Sequence, residues 1–146
     1  MTAVADILKS KSEPTVYAIR PDDSVFDALQ RMADKGIGAL LVMDGDAIIG
    51  ILTERDYARK IILRGRTSAL TLVRDVMTTS VMFVKSTHTS EECMAIMTDY
   101  RLRHLPVVDH GKLLGLISIG DLVKDIISEQ KFVIEQLEHY ITGQRG

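Results

Sequence analysis

The sequence has one cysteine, three prolines and almost no excess of either charge. Each shortage removes a class of answer. A lone thiol, Cys93, excludes an intramolecular disulfide, and it lies beside Met94 and Met97 at helical spacing, as a packed thiol would. One buried thiol suits a reducing compartment. With 18 basic and 20 acidic residues the net charge is −2, so no whole-molecule field draws the chain to DNA or to an anionic membrane. No apolar run approaches the roughly 18–20 residues that a membrane span needs. The opening MTAVADILKSKSEPT has no apolar core of signal-peptide length. A soluble, cytoplasmic protein is expected. The histidines His88, His104, His110 and His139 show no metal-ligand spacing, so no metal is expected. No nucleophile stands in context with a base and its orienter, which argues against an enzyme and against a catalytic cofactor. The run RKIILRGRTS alternates with apolar residues and reads as a solvated face, so nucleic acid is not an expected partner. GIGALL lacks the third glycine of a dinucleotide fingerprint and runs into a strand where that motif must enter a helix.

What is present is a repeat. Residues 16–62 align with residues 81–127 without a gap, with identities that include Met32/Met97, Asp34/Asp99, Leu40/Leu105, Val42/Val107, Gly50/Gly115 and Asp56/Asp121. Thr53/Ser118, Arg59/Lys124 and Ser24/Thr89 keep their chemistry. Upstream the echo continues with a four-residue offset, since VADILKSK resembles VRDVMTTS and the first copy carries extra residues around Glu13-Pro14. The length suits one compact domain built from two half-modules.

Each copy reads as β-α-β-β-α. TVYAI and VMFVK are β-like openings, and RPDDS and STHTS are helix starts, with Pro21 at an early helical position and Ser or Thr as caps. Val25, Ala28, Leu29 and Met32 repeat at helical spacing in one copy, and Cys93, Met94, Ile96 and Met97 do so in the other. GALLVMD and RHLPVVD read as buried strands, and GDAIIGILT and HGKLLGLIS as a turn and second strand. Strands between helices favour an α/β arrangement. At the end of each copy, Thr53-x-x-Asp56 and Ser118-x-x-Asp121 read as capping boxes. From Gly120 to Thr142 no proline or further glycine interrupts a helix, one long or two with a bend, with Val133, Leu137, Tyr140 and Ile141 as an apolar stripe and Gly143 as a stop.

VRDVMT, RHLPVVD and the doubled G-h-h-[ST]-x-x-D, where h is apolar, occur in this order at one offset. Together they resemble a tandem pair of cystathionine-β-synthase-type (CBS) domains, the Bateman module, over residues 4–127. The resemblance implies an α/β fold of two pseudo-twofold-related repeats packed as one module, with a C-terminal helix. It divides the chain into a first repeat with its lead-in at 4–66, a second repeat at 67–127, and a helical extension at 128–146. It also implies a non-catalytic signal-transduction and energy-sensing role, with adenine nucleotides (AMP, ADP, ATP or NAD(H)) bound between the repeats and an effector protein downstream. A ligand-free scaffold or a nucleic-acid-binding CBS protein is the alternative.

By the same resemblance, Asp56 and Asp121 accept the ribose hydroxyls, and Thr53 and Ser118 sit where a helix start favours phosphate. Tyr17-Ala18 and Met82-Phe83 match base-contacting positions. The Asp121 pocket takes Tyr17, Ala18, Gly38 and Ala39 from the first copy, with Arg103, His104, Leu116 and Ser118 from the second. The Asp56 pocket mirrors it with Phe83, Ile51, Thr53 and Arg55, facing Arg103 or His104. The copies differ before the central strand: KGIGAL in one, YRLRHL in the other. Arginines there can hold phosphates, while Gly36 and Gly38 leave room for a bulkier ligand, so unequal sites are expected. Such pairs commonly dimerise, and the stripe beyond the repeats makes a homodimer the expected assembly.

Overall fold

The computed structural model describes residues 2–11 and 15–141. In chain order the elements are α1 (Val4–Ser10), β1 (Ala18–Ile19), α2 (Val25–Lys35), β2 (Ala39–Asp44), β3 (Ala47–Thr53), α3 (Glu54–Lys60), α4 (Val73–Val76), α5 (Ser90–Tyr100), β4 (His104–Asp109), β5 (Lys112–Ser118) and α6 (Ile119–Ile141). Short 3-10 turns at Ile62–Arg64 and Ser68–Leu70 lead from α3 to α4. Two compact units result. One is Thr15–Met82, and the other joins the N-terminal stretch to residues from Phe83 onward.

In the Thr15–Met82 unit the sheet order is β1-β2-β3, with β1 parallel and β3 antiparallel to β2. Ser24 caps α2 by accepting from the Asp27 N–H, and Gly36 ends the helix in the left-handed region that glycine adopts without strain. Pro21 lies ahead of that cap, in a turn, and is not a helical residue. Val25, Ala28 and Met32 bury one face of α2 against Leu40, Val42 and Leu52, with Ile61, Val73 and Val76 closing the core. Each such side chain contributes roughly 1.5–3 kcal/mol on leaving water.

The second unit repeats the hairpin as β4-β5 and the covering helix as α5, which has a full capping box between Thr89 and Glu92. Cys93 is wholly buried on the inner face of α5, and burial, aided by Glu92, pushes its thiol up to about 11. The strand expected over VMFVK shrinks to a single parallel bridge, Val84 to Val107. The reason is Pro106. Its counterpart Leu41 donates its N–H to the Tyr17 carbonyl, and proline has no N–H to give.

The lead-in segments cross over. In the first copy the Val25 N–H donates to Thr71 O and the Val73 N–H to Asp23 O; in the second the Ser90 N–H donates to Thr2 O and the Val4 N–H to His88 O. Free N–H groups at the starts of α2 and α5 thus take acceptors from the segment preceding the other copy. Expected boundaries at 4–66 and 67–127 follow the chain, whereas these contacts place the lead-in helix α1 with the second copy. Identical Gly50 and Gly115 mark where each lead-in comes close: a side chain on Gly50 would meet Met77 Sδ at 2.7 Å, and one on Gly115 would meet Leu8 Cδ2 at 2.7 Å.

α6 is one unbroken helix of 23 residues. Only Leu122 is fully buried on it, and every residue from Ile127 to Ile141 is exposed. The expected end at Thr142 and stop at Gly143 lie outside the described residues.

Candidate functional site

Both hydroxyl–carboxylate pairs form reciprocal capping boxes at the starts of α3 and α6. Thr53 N donates to Asp56 Oδ2 at 3.0 Å while Asp56 N donates to Thr53 Oγ1 at 3.1 Å. Ser118 N donates to Asp121 Oδ2 at 2.9 Å while Asp121 N donates to Ser118 Oγ at 3.1 Å. The residue after each cap finds a backbone acceptor too: Glu54 N on Gly38 O at 3.1 Å and Ile119 N on Arg103 O at 2.9 Å.

Each aspartate also holds a lysine that spacing in the repeat did not reveal. Lys60 Nζ lies 3.2 Å from Asp56 Oδ1 and donates to Val76 O at 2.8 Å. Lys11 Nζ lies 2.9 Å from Asp121 Oδ2 and donates to Leu116 O at 2.7 Å. Thr78 Oγ1 adds a donor to Asp56 Oδ1 at 3.1 Å. Lys60 could have been found as an i,i+4 partner of Asp56. Lys11 reaches Asp121 from the other end of the chain, where no local signal exists.

Within the Thr15–Met82 unit the register brings Ala39 opposite Thr53, while Leu41 stands between Ala18 and Ile51 across the sheet. Gly38, Ala39, Thr53 and Asp56 therefore gather at one end of the β2-β3 hairpin. Tyr17 is half-buried against the core, with Lys35 Nζ 5.2 Å from its ring centroid. Arg55 points to solvent, and Met82 ends this unit, half-buried.

Within the second unit His104 stands opposite Ser118. Burial, then Lys11 and Arg103, hold the His104 imidazole below its ordinary value of 6.5, against the opposing pull of Asp121. His104, Ser118, Asp121, Lys11 and the Leu116 carbonyl form one polar cluster. Arg103 and Phe83 are exposed. Arg101 ends α5 with φ 55°, in the left-handed place that Gly36 fills in the first copy. Among the described residues no group of three or more His, Cys, Asp or Glu is placed to hold a metal ion. No helix among them is long and apolar enough to cross a membrane.

The chemistry these clusters offer is recognition. Carboxylates at fixed positions accept hydroxyls, main-chain carbonyls accept amino groups, and the neighbouring cations favour an anionic ligand. Comparison with known proteins agrees with the repeat. The CBS domain family matches residues 4–63 and 73–128. The chain is similar to a solved protein with CBS domains from Burkholderia ambifaria, at 56% identity and TM-score 0.86, covering 88% of this chain and 96% of that one. It is 37% identical over 150 residues to the mitochondrial CBS domain-containing protein CBSX3 of Arabidopsis thaliana, covering 97% of this chain and 73% of that protein. It shares its fold with CBSX2, solved in complex with AMP, at 24% identity and TM-score 0.72, covering 88% of this chain and 98% of that one. Two copies of one β-hairpin-and-helix unit, each ending in a capped Ser/Thr-x-x-Asp and each matched by the same family, place this chain in the CBS-domain family as a tandem pair.

Proposed function

We propose that this CBS pair is a non-catalytic regulatory module that binds adenosine-containing ligands, AMP, ADP, ATP or NAD(H), and passes the bound state to an effector protein. The observation that carries the reading is the doubled Asp56 and Asp121 arrangement: each carboxylate is fixed by its own capping box beside a main-chain carbonyl, in a fold that holds AMP in CBSX2. Asp56 and Asp121 accept ribose hydroxyls. Tyr17, Ala18, Gly38 and Ala39 work with the Asp121 cluster, and Met82, Phe83, Ile51, Thr53 and Arg55 with Asp56. Arg103 and His104 face the phosphates. The active assembly is a homodimer. The compartment is cytoplasmic, as a single buried thiol suits, and the mitochondrial placement of CBSX3 makes fractionation the check.

Calorimetric titration with AMP tests the reading. Asp56→Asn and Asp121→Asn should each lose one site and the double variant both, with no turnover of ATP by the parent. A double variant that binds AMP as tightly as the parent reduces both motifs to helix caps. One observation favours a second reading, the ligand-free scaffold: both aspartates already carry lysines. Under that reading the parent itself gives no binding heat with any of the four nucleotides.

A further inference from the structure

α6 carries more apolar surface than its own chain covers. Its first two turns dock through Leu122, with Ile126 half-buried; from Ile127 onward every residue is exposed, with Glu129 accepting from Thr2 Oγ1 at 2.6 Å. Val133, Ile134 and Leu137 are 54%, 54% and 55% exposed, and Tyr140 and Ile141 are 85% and 80% exposed. A helical segment of this length has little stability of its own, because isolated helices shorter than about 12–15 residues are marginal in water.

Beside the docked face, the first half of α6 carries a shallow apolar groove floored by Ile119, Val123 and Ile127 and rimmed by Lys124 and Lys131, with no carboxylate lining it. Helical spacing runs the same stripe on through Ile134, Leu137 and Ile141. Along its flank the charge changes sign: Lys124 and Lys131 are followed, seven residues on, by Glu138, with Glu135 beside it. When two copies of a helix pack antiparallel through one face, like flanks meet. The lysine-rimmed half of one copy then lies against the glutamate-bearing half of the other. Parallel packing would set that flank against the opposite one and leave the sign change unused.

We propose that the occupant of this groove is the C-terminal half of α6 from a second copy, so that two α6 helices pair antiparallel about a twofold axis. The proposal deepens the homodimer reading by naming its surface. A twofold axis uses the same patch twice, so each projecting half fills the partner's groove. The exposed parts of Val123, Ile127, Ile134, Leu137 and Ile141, with Tyr140 at the edge, come to roughly 700 Å² per copy, close to the ~800 Å² per partner of a stable interface.

Light scattering and sedimentation on the full chain should give a dimer for the parent and a monomer for Leu137→Asp, whose side chain is exposed and lies outside the buried core of its own chain. The symmetric interface loses that contact twice, which weakens the dimer roughly a thousandfold. Lys124→Glu and Glu138→Lys should each weaken dimerisation by about threefold to fivefold, and the double variant should restore it. Mixing Ile127→Cys with Ile134→Cys protein under mild oxidation should yield a disulfide between the two different variants and little within either alone. A monomeric parent would sink the homodimer reading itself. A dimer that survives Leu137→Asp, or that cross-links within each single variant, keeps that reading and overturns the antiparallel helix pair.

Discussion

Replacing Asp56 by alanine should destabilise the ligand-free protein by about 2–3 kcal/mol, which makes it a structural perturbation before it is a functional one. The Asp56 side chain is only 12% exposed, and its carboxylate accepts from Thr53 N at 3.0 Å, Thr53 Oγ1 at 3.2 Å and Thr78 Oγ1 at 3.1 Å. Its loss removes one half of the α3 capping box and leaves three donors without that acceptor: Thr53 N, which is fixed, and the Thr53 and Thr78 hydroxyls, which can rotate toward other partners. A lost cap costs about 0.5–2 kcal/mol and a part-buried orphaned donor about 1 kcal/mol or more. The Lys60 contact adds little, because its side chain is 42% exposed. For a chain of this size the sum corresponds to a fall of roughly 6–10 °C in melting temperature. Asp56→Asn keeps one acceptor oxygen and should cost about 1 kcal/mol. Thermal and urea melts without nucleotide measure both, and binding is then compared at a temperature where both variants are folded. An Asp56→Ala protein within about 0.5 kcal/mol of the parent would refute the reasoning, since contacts so removable could not be what fixes the carboxylate.

Lys11→Met should free Asp121 and the Leu116 carbonyl for ligand, so calorimetry should show AMP binding at that site tightened by about fivefold; a weakened site would instead make Lys11 a ligand contact. The same variant should raise the His104 pKa, read by NMR titration, because Lys11 is one of the groups holding it down. In the parent, a depressed His104 favours the neutral imidazole in the folded state, so its contribution to stability is complete above 6.5 and is lost as pH falls from there through the lower folded value; a His104→Gln protein should lose that part of the slope. Gly50→Ala should cost about 2–3 kcal/mol in chemical denaturation and Gly115→Ala nearer 1 kcal/mol, because the new methyl on Gly50 also meets the Thr78 carbonyl at 3.0 Å while the three atoms nearest to that on Gly115 all belong to the Leu8 side chain. Equal costs would mean that the Met77 and Leu8 side chains, not the backbone, decide the penalty.

The identities between the copies were readable as a fold because they fall where local geometry and close packing demand them. Leu40/Leu105 and Val42/Val107 are fully buried strand positions, and Gly50/Gly115 are the places where a lead-in side chain needs the space. Asp34/Asp99 are equally repeated, yet both are exposed and nothing in the structure explains them. Legibility failed where one residue's chemistry acts on a distant neighbour. Pro106 is an ordinary member of an apolar run, but by withholding an N–H it reduces the strand beside it to a single bridge.

The candidate sites show the same division. Thr53-x-x-Asp56 and Ser118-x-x-Asp121 announce their own geometry, since a cap is made by residues three apart. Their counter-cations do not. Asp56 draws Lys60 from its own helix, whereas the residue at the matching place on α6, Asp125, is an acid, and Asp121 instead draws Lys11 from the crossed-over lead-in. The lead-in that returns to the first copy ends in Thr78, Thr79 and Ser80, so it offers Asp56 a hydroxyl where the other offers an ammonium. Two copies of one motif are thereby tied to cations of different origin. One lysine is anchored on the helix that the aspartate caps, and the other is carried by the crossed-over lead-in. That asymmetry, more than the contrast between KGIGAL and YRLRHL, is the physical ground for expecting unequal sites.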